Sequence, residues 1–455
     1  MFKIGDMRGF IASSIGVTCA AALALPLTPP AAATVARPSA EVLVPGSTQS
    51  LPLAPLNRAV GGSAEQGLSR GDVHRFSMLG VVWDDPDTHL DGRVEVRVRA
   101  AASGTWSGWQ DVETHYGDDG ADPDAAERAA GRVRGATAPL WVGESDGVQV
   151  RVRSERTRAA APGAAAALPS GLRLELVDPG AAGTATAGAT AAGNGPRAAR
   201  FGAETPEAVA SAAANADLAP LGALEIPELD RARTEQELYA LRGAEPAGRQ
   251  SGKPRIGPRP RIVTRRGWGA DEKLREKKFV YTRKVKAAFV HHTATGNGYR
   301  CSQAPSVIRG IYRYHVKSMG WRDIGYNFLV DKCGRIYEGR AGGVAKAVLG
   351  AHTLGFNTDS MGVAVIGTFG SSRPPTASVT AVARLTAWKL GIYGANPRGK
   401  TYLKSGGGNL YRKGKNVRLN VISGHRDGFS TACPGWQLYR KLGTARSNAA
   451  RYQGR

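Results

Sequence analysis

Apolar and polar residues change their rhythm twice along this chain. Between Asp72 and Pro179 they alternate in short runs separated by turn residues: Phe76–Trp83, Gly92–Ala100, Thr105–Val112, Ala138–Val142, Gly147–Ser154 and Leu172–Val177. Period two places successive side chains on opposite faces, so residues 72–180 are predicted to form an antiparallel, sandwich-like domain with one buried face per sheet. Trp83, Trp106, Trp109 and Trp141 fall within it. Large aromatics dominate small sandwich cores, and stacking on sugar rings is the alternative use.

Residues 181–260 lose that rhythm. They are rich in Ala, Gly and Pro, which predicts a flexible linker with one short helix within Leu229–Arg242. From Arg261 to Arg455 strand and helix patterns alternate. Val285–His291, Asn327–Val330 and Met361–Phe369 read as buried strands. Pro305–Met319 reads as an amphipathic helix with Val307, Ile308, Ile311, Tyr312, His315 and Met319 on one stripe. Val379–Tyr393 and the start of a third helix at Gly435–Leu442 follow. The expectation for 261–455 is an α/β domain, a mixed β-sheet with flanking helices.

Charge and length refine this picture. The 455 residues exceed one core's usual reach, so two domains are expected. Of the net charge of +23, residues from Ser251 onward hold 38 Lys+Arg against 8 Asp+Glu, and the remainder hold 23 against 30. A basic C-terminal part favours polyanionic partners: nucleic acid, anionic lipid or acidic envelope polymers. Lys3 and Arg8, an apolar run from Ile11 to Leu27 and small residues up to Ala36 give residues 1–36 the order of an export signal. Prolines at 26, 29 and 30 interrupt a run already short for a membrane span. Cys19 would leave with that signal. Three cysteines then remain, an odd number, so one is a free thiol or serves elsewhere, for instance on a metal.

Five of the eight histidines lie in the last segment: His291, His292, His315, His352 and His425. His291 ends an apolar strand, and His425 and Cys433 flank a short loop. Such donors could give zinc three protein ligands and leave the fourth position to water. A histidine is more often a satisfied polar residue than a ligand, and spacing alone leaves both readings open.

The runs FVHHTAT, YHVKSMGWRDIGYNFLVDKCGRIYEGR, GAHTLGFN, MGVAVIGTF and SGHRDGFSTACPG follow one another between Arg261 and Leu442. In that order they resemble the motifs of the peptidoglycan recognition protein and N-acetylmuramoyl-L-alanine amidase type 2 superfamily. The resemblance implies an amidase type 2 fold, zinc (Zn2+) held by His291, His425 and Cys433, and catalytic assistance from Tyr326 and Thr431. It gives His352 a place in the substrate groove. His315 is divided between core packing and contact with the wall peptide, and His292 is expected on the opposite strand face as a structural residue. Asp427 is read as orienting a ligand or pairing with Arg426 or another base. With Cys433 on zinc, Cys301 and Cys333 are left as a disulfide pair, although Lys332-Cys333-Gly334 departs from the family's Asp-Gly pattern. The implied activity is zinc-dependent hydrolysis of the N-acetylmuramic acid–L-alanine amide of peptidoglycan by a secreted monomer. The basic face, including Arg412, Lys413, Lys415 and Arg418, would meet anionic wall polymers. A non-catalytic binding module is the main rival. Nucleic-acid binding rests on charge alone and is opposed by the export signal.

Overall fold

A computed structural model describes residues 42–43, 45–56, 64–114, 119–155, 167–180, 182–183, 205–242 and 255–455. The export signal read at 1–36 lies outside them.

The N-terminal half is built around strands β1 (Ser47–Pro52), β2 (Glu65–Arg70), β3 (Phe76–Trp83), β4 (Gly92–Ala100), β5 (Gln110–Val112), β6 (Gly135–Ala136), β7 (Leu140–Ser154) and β8 (Arg173–Asp178), with a short helix α1 (Ala126–Ala129) between β5 and β6. The fifteen residues of β7 take in Leu140–Val142 of the run predicted at 138–142 and all of the run at 147–154. The first part of β7 pairs with β3, which also pairs with β8, and β8 with β1. Its second part lies between β4 and β2. One long strand thus passes from one layer to the other, and Leu79, Val81, Val94, Val96, Val150, Leu174 and Leu176 fill the space between.

Strand β3 departs from the one-buried-face expectation, since all eight of its residues are buried. Phe76, Leu79, Val81 and Trp83 face the sandwich core, whereas Met78 and Val82 join a second core with residues of the C-terminal half. That explains why FSMLGVVW lacks strict alternation: a strand covered on both sides has no solvent face to keep polar.

In the C-terminal half a mixed seven-stranded sheet runs in the order β9 (Glu225–Ile226), β10 (Ile262–Val263), β13 (Ile336–Glu338), β12 (Phe328–Val330), β14 (Ser360–Val365), β11 (Ala287–His292), β17 (Ile422–Gly424). Helices α5 (Thr376–Ile392) and α6 (Leu442–Tyr452) cover one face through Val382, Leu385, Trp388, Leu442 and Ala449. Helix α4 (Ala304–Arg313) covers the other and widens into a π-helical turn at Tyr314–Ser318. The whole stripe predicted for this helix is buried. A hairpin of β15 (Lys400–Lys404) and β16 (Asn416–Asn420) packs Leu403, Val417 and Leu419 on Phe289 and Phe356.

The span read as a linker is folded in part. Helices α2 (Pro206–Ala213) and α3 (Arg231–Arg242) and strand β9 belong to the C-terminal half, with Leu218, Ile226, Leu238 and Ile256 inside its main core. Buried Arg259 pairs with Glu237 and donates to the Pro227 carbonyl at 2.9 Å, which fastens this segment to its own end. Residues 184–204 and 243–254 lie outside the description.

The two halves share a core rather than a tether. Met78, Val82, Ala136, Ala138 and Val177 pack with Val307, Ile311, Tyr314 and Tyr326. The Tyr314 hydroxyl donates to the Thr137 carbonyl at 3.1 Å. It reaches β3 only because residue 80 is glycine, where a Cβ would stand 2.3 Å from that oxygen. Gly320 closes the π-helical turn at φ +76°, its Cα side facing the Arg132 carbonyl too closely for any side chain. Arg340 grips Glu127 with two nitrogens at 2.9 and 3.0 Å, both side chains buried. We therefore expect one cooperative thermal transition for both halves, with Tyr314→Ala lowering the stability of the whole by about 3–5 kcal/mol. Two separate transitions by calorimetry would show the interface to be weak.

Candidate metal centre

The centre starts from β11, which lies between β14 and β17. Alternation along the strand sends Ala288 and Val290 into the core beneath α5, and Ala287 and Phe289 toward the β15–β16 hairpin. His291 follows the second set and emerges at the strand end. His292 follows the first, where its Nδ1 accepts the Phe369 N–H at 3.1 Å, a structural place as its position in the strand predicted. Next to β11, β17 ends in the turn His425–Asp427, which carries His425 beside His291 with ring centroids 4.5 Å apart.

Cys433 comes back to them through a closed loop. Its N–H donates to the Thr431 hydroxyl at 3.2 Å and its carbonyl accepts the Arg426 N–H at 3.1 Å. The ligand atoms of His291, His425 and Cys433 all lie within 4.8 Å of one another, and Cys433 Sγ is 3.7 Å from His291 Nδ1. Burial lowers the pKa of His291 to about 3, so its imidazole is neutral, the form that binds a metal. His291 Nε2 lies 3.4 Å from the Thr353 hydroxyl, which leaves Nδ1 turned to the cluster. Two histidines, one of them a neutral imidazole, and a cysteine suit a tetrahedral zinc site.

Tyr326 stands over this cluster, its ring 5.4 Å from that of His291. Thr431 lines the same space. His315, divided between core packing and substrate contact, and His352, placed in the substrate groove, are fully enclosed, as His291 and Tyr326 are. His315 Nδ1 accepts the Gly325 N–H at 3.1 Å and its ring packs on Trp321 at 4.4 Å, which shapes the turn that delivers Tyr326. His352 lies 3.0 Å from the Thr353 hydroxyl and supports His291 from behind. Asp427 neither touches a ligand nor pairs with Arg426: it accepts the Gly424 N–H at 2.9 Å and the Tyr439 hydroxyl at 2.6 Å, bracing the turn. Cys301 and Cys333 are disulfide-bonded with Cα atoms 6.2 Å apart.

One residue at the centre escapes any reading of the C-terminal motifs. Asp119, from the N-terminal half, places Oδ1 3.2 Å from His291 Nδ1 and 3.4 Å from His425 Nδ1, and its Oδ2 accepts the Tyr326 hydroxyl at 2.8 Å. Burial raises its carboxyl pKa to about 6, against the lowering effects of His425 and the Tyr326 hydrogen bond. Its only signal in the sequence is a turn-rich acidic run, Gly117-Asp118-Asp119-Gly120.

A mixed sheet covered by helices on both faces, with a His–His–Cys cluster at the end of its central strands, makes this an α/β domain with a candidate metal site. Residues 281–436 match the family model described as N-acetylmuramoyl-L-alanine amidase, and residues 32–170 one described as Rv3811 N-terminal galactose-binding domain-like. Peptidoglycan-recognition protein SC2 of Drosophila simulans is 30% identical over 40% of this chain and 85% of its own length. Peptidoglycan-recognition protein 1 of Holotrichia diomphalia is 34% identical over 40% of this chain and 79% of its own. The solved structure of peptidoglycan recognition protein-LE in complex with tracheal cytotoxin matches 40% of this chain and 92% of that one, at 30% identity and a TM-score of 0.31. The chain belongs to the peptidoglycan recognition protein and type 2 amidase superfamily.

Metal analysis of the full chain should find one zinc. Cys433→Ala and His425→Ala should lose it on dialysis and His292→Ala retain it. Thr353→Val, which removes the hydroxyl behind His291, should weaken zinc affinity by about 10–100-fold. Full zinc occupancy in Cys433→Ala would show that the cluster is not the metal site.

Proposed function

We propose that the chain is an exported zinc amidase that hydrolyses the amide between N-acetylmuramic acid and L-alanine in bacterial peptidoglycan. What supports this most directly is the convergence of His291, His425 and Cys433 with a buried tyrosine hydroxyl at one point. Zinc at the cluster would polarise the scissile carbonyl and lower the pKa of a bound water. Tyr326, fixed by packing on His291 and His315, donates its O–H to the carbonyl oxygen as that oxygen gains charge. The Thr431 hydroxyl already accepts the Cys433 N–H, so its own proton is available to the same oxygen. Thr353 keeps the His291 ring oriented throughout. Support for the substrate class comes from relatives named for peptidoglycan recognition, one of them solved with a monomeric diaminopimelic acid-type peptidoglycan.

Recognition without cutting is the second reading, since the relatives are named as recognition proteins. It gives Cys433 and the Tyr326 hydroxyl no task, and resemblance implies that the cysteine is commonly replaced in such receptors. The basic residues read as wall contacts fit an accessory role. Lys400, Lys404 and Arg418 stand exposed around Tyr402 on the outer face of the β15–β16 hairpin, with Arg412, Lys413 and Lys415 on its loop. Among the described residues no helix is long and apolar enough to cross a membrane.

Mass spectrometry of wall digested by the zinc-loaded protein should reveal stem peptides with a free L-alanine amine, and chelation should stop their release. Tyr326→Phe should keep its metal and lose about 100-fold or more in turnover. Retained wall binding with no cleavage, by the wild type and by a variant lacking Asp119 alike, would favour the recognition reading.

Sedimentation with intact wall should weaken steadily as salt shortens the Debye length from about 10 Å at 0.1 M to about 3 Å at 1 M. Affinity for a small soluble muramyl peptide should change far less. Equal salt sensitivity in both would remove the hairpin as a wall contact.

A further inference from the structure

We propose that Asp119 is a fourth protein ligand to the metal, delivered by the N-terminal half, and that it holds the enzyme latent. The proposal deepens the amidase reading and in part rests on it. Zinc bonds of about 2.0–2.1 Å to nitrogen and oxygen and about 2.3 Å to sulfur give tetrahedral edges of about 3.3 Å from nitrogen to oxygen and about 3.6 Å from nitrogen to sulfur. The corresponding separations here are 3.2 and 3.4 Å from Asp119 Oδ1 to the two histidine nitrogens and 3.7 Å from His291 Nδ1 to Cys433 Sγ. Despite that proximity, Asp119 Oδ1 is buried without a hydrogen-bond partner among the described residues. The other carboxylate oxygen takes the Tyr326 hydroxyl. A single side chain thus occupies both the open metal position and the donor meant for the substrate's oxygen.

The segment that brings Asp119 is docked at several points. The Gly120 carbonyl accepts Asn357 Nδ2 at 2.8 Å. Asp122 accepts the Gly355 N–H at 2.8 Å and Asn357 Nδ2 at 2.7 Å. Asp124 pairs with Lys413, and Glu127 takes Arg340 and the Arg322 N–H. Four carboxylates of one short segment therefore meet the basic C-terminal half around the centre. The space left beside Asp119, His425, Thr431 and Cys433 has a volume of about 10 Å³. That is room for about one water and not for a peptide stem. A carboxylate acting as catalytic base would need substrate beside it, and the same segment that carries Asp119 excludes one.

The test uses the full chain loaded with cobalt(II) in place of zinc, as wild type, Asp119→Ala and the isosteric Asp119→Asn. In the wild type the visible spectrum should not respond to millimolar acetohydroxamate, a small metal-binding anion. In Asp119→Ala it should shift on the same addition, and the metal should pass to a chelator at least tenfold faster. Asp119→Asn, which retains the shape of the residue, should respond in the same direction. With zinc, Asp119→Ala should cut wall at least tenfold faster than wild type. Identical spectra and identical responses in wild type and both variants would overturn the ligand assignment. A tenfold or greater fall in turnover with metal retained would overturn latency and make Asp119 a catalytic residue. If the cobalt site opens while no variant cuts wall, Asp119 is a ligand and it is the amidase reading that fails.

Discussion

A carboxylate enclosed on every side, as Asp119 is, loses its hydration, and that loss costs several kcal/mol unless opposite charge or well-placed donors replace it. Here the Tyr326 hydroxyl of the far half donates to one oxygen, and the imidazoles of His291 and His425 stand beside the other, around the candidate metal position. The geometry of the centre therefore depends on the contact between the halves. Anything that parts them hydrates Asp119 and uncovers His291, His425 and Tyr326 together. The same contact brings opposite charges together, because the acidic segment from Asp119 to Glu127 meets Arg340 and Lys413 on the basic side.

That contact is held by apolar burial as well as by charge. Strand β3 is covered on both faces, and α4 with its π-helical turn is packed between β3 and the C-terminal sheet. The Arg265 guanidinium, buried among Glu272, Asp323 and the Gly339 carbonyl, fastens the turn before Tyr326 to the end of β13. Buried ion pairs of this kind add little net stability but penalise any arrangement that separates them, so they fix geometry. Tyr326 is thus positioned by a packed frame and not by the flexibility of a loop.

Much of this was legible along the chain. Period two located β3 and β4 at their observed ends, and the helical stripe from Val307 to Met319 was found buried as a whole. The polar strands β1 and β2 were missed because STQSLP and EQGLSR, partly exposed in their sheets, carry no apolar alternation. The helix expected within Leu229–Arg242 is α3, but residues 205–228 passed for linker because an alanine-rich, charged segment that adds one helix and a single edge strand to a core needs few large apolar residues.

By itself the sequence supplied the candidate donors: local patterning put His291 at an apolar strand end and His425 and Cys433 beside a short loop, because strand alternation and turn chemistry act over a few residues, and the resemblance then singled out these three with Tyr326. Only the tertiary structure decided how the donors are used. It turned His315 and His352 inward, gave Asp427 to Tyr439, and brought Asp119 to the cluster from 172 residues upstream of His291. No local rule reports such a contact, since it exists only once two cores have joined and water has been excluded between them.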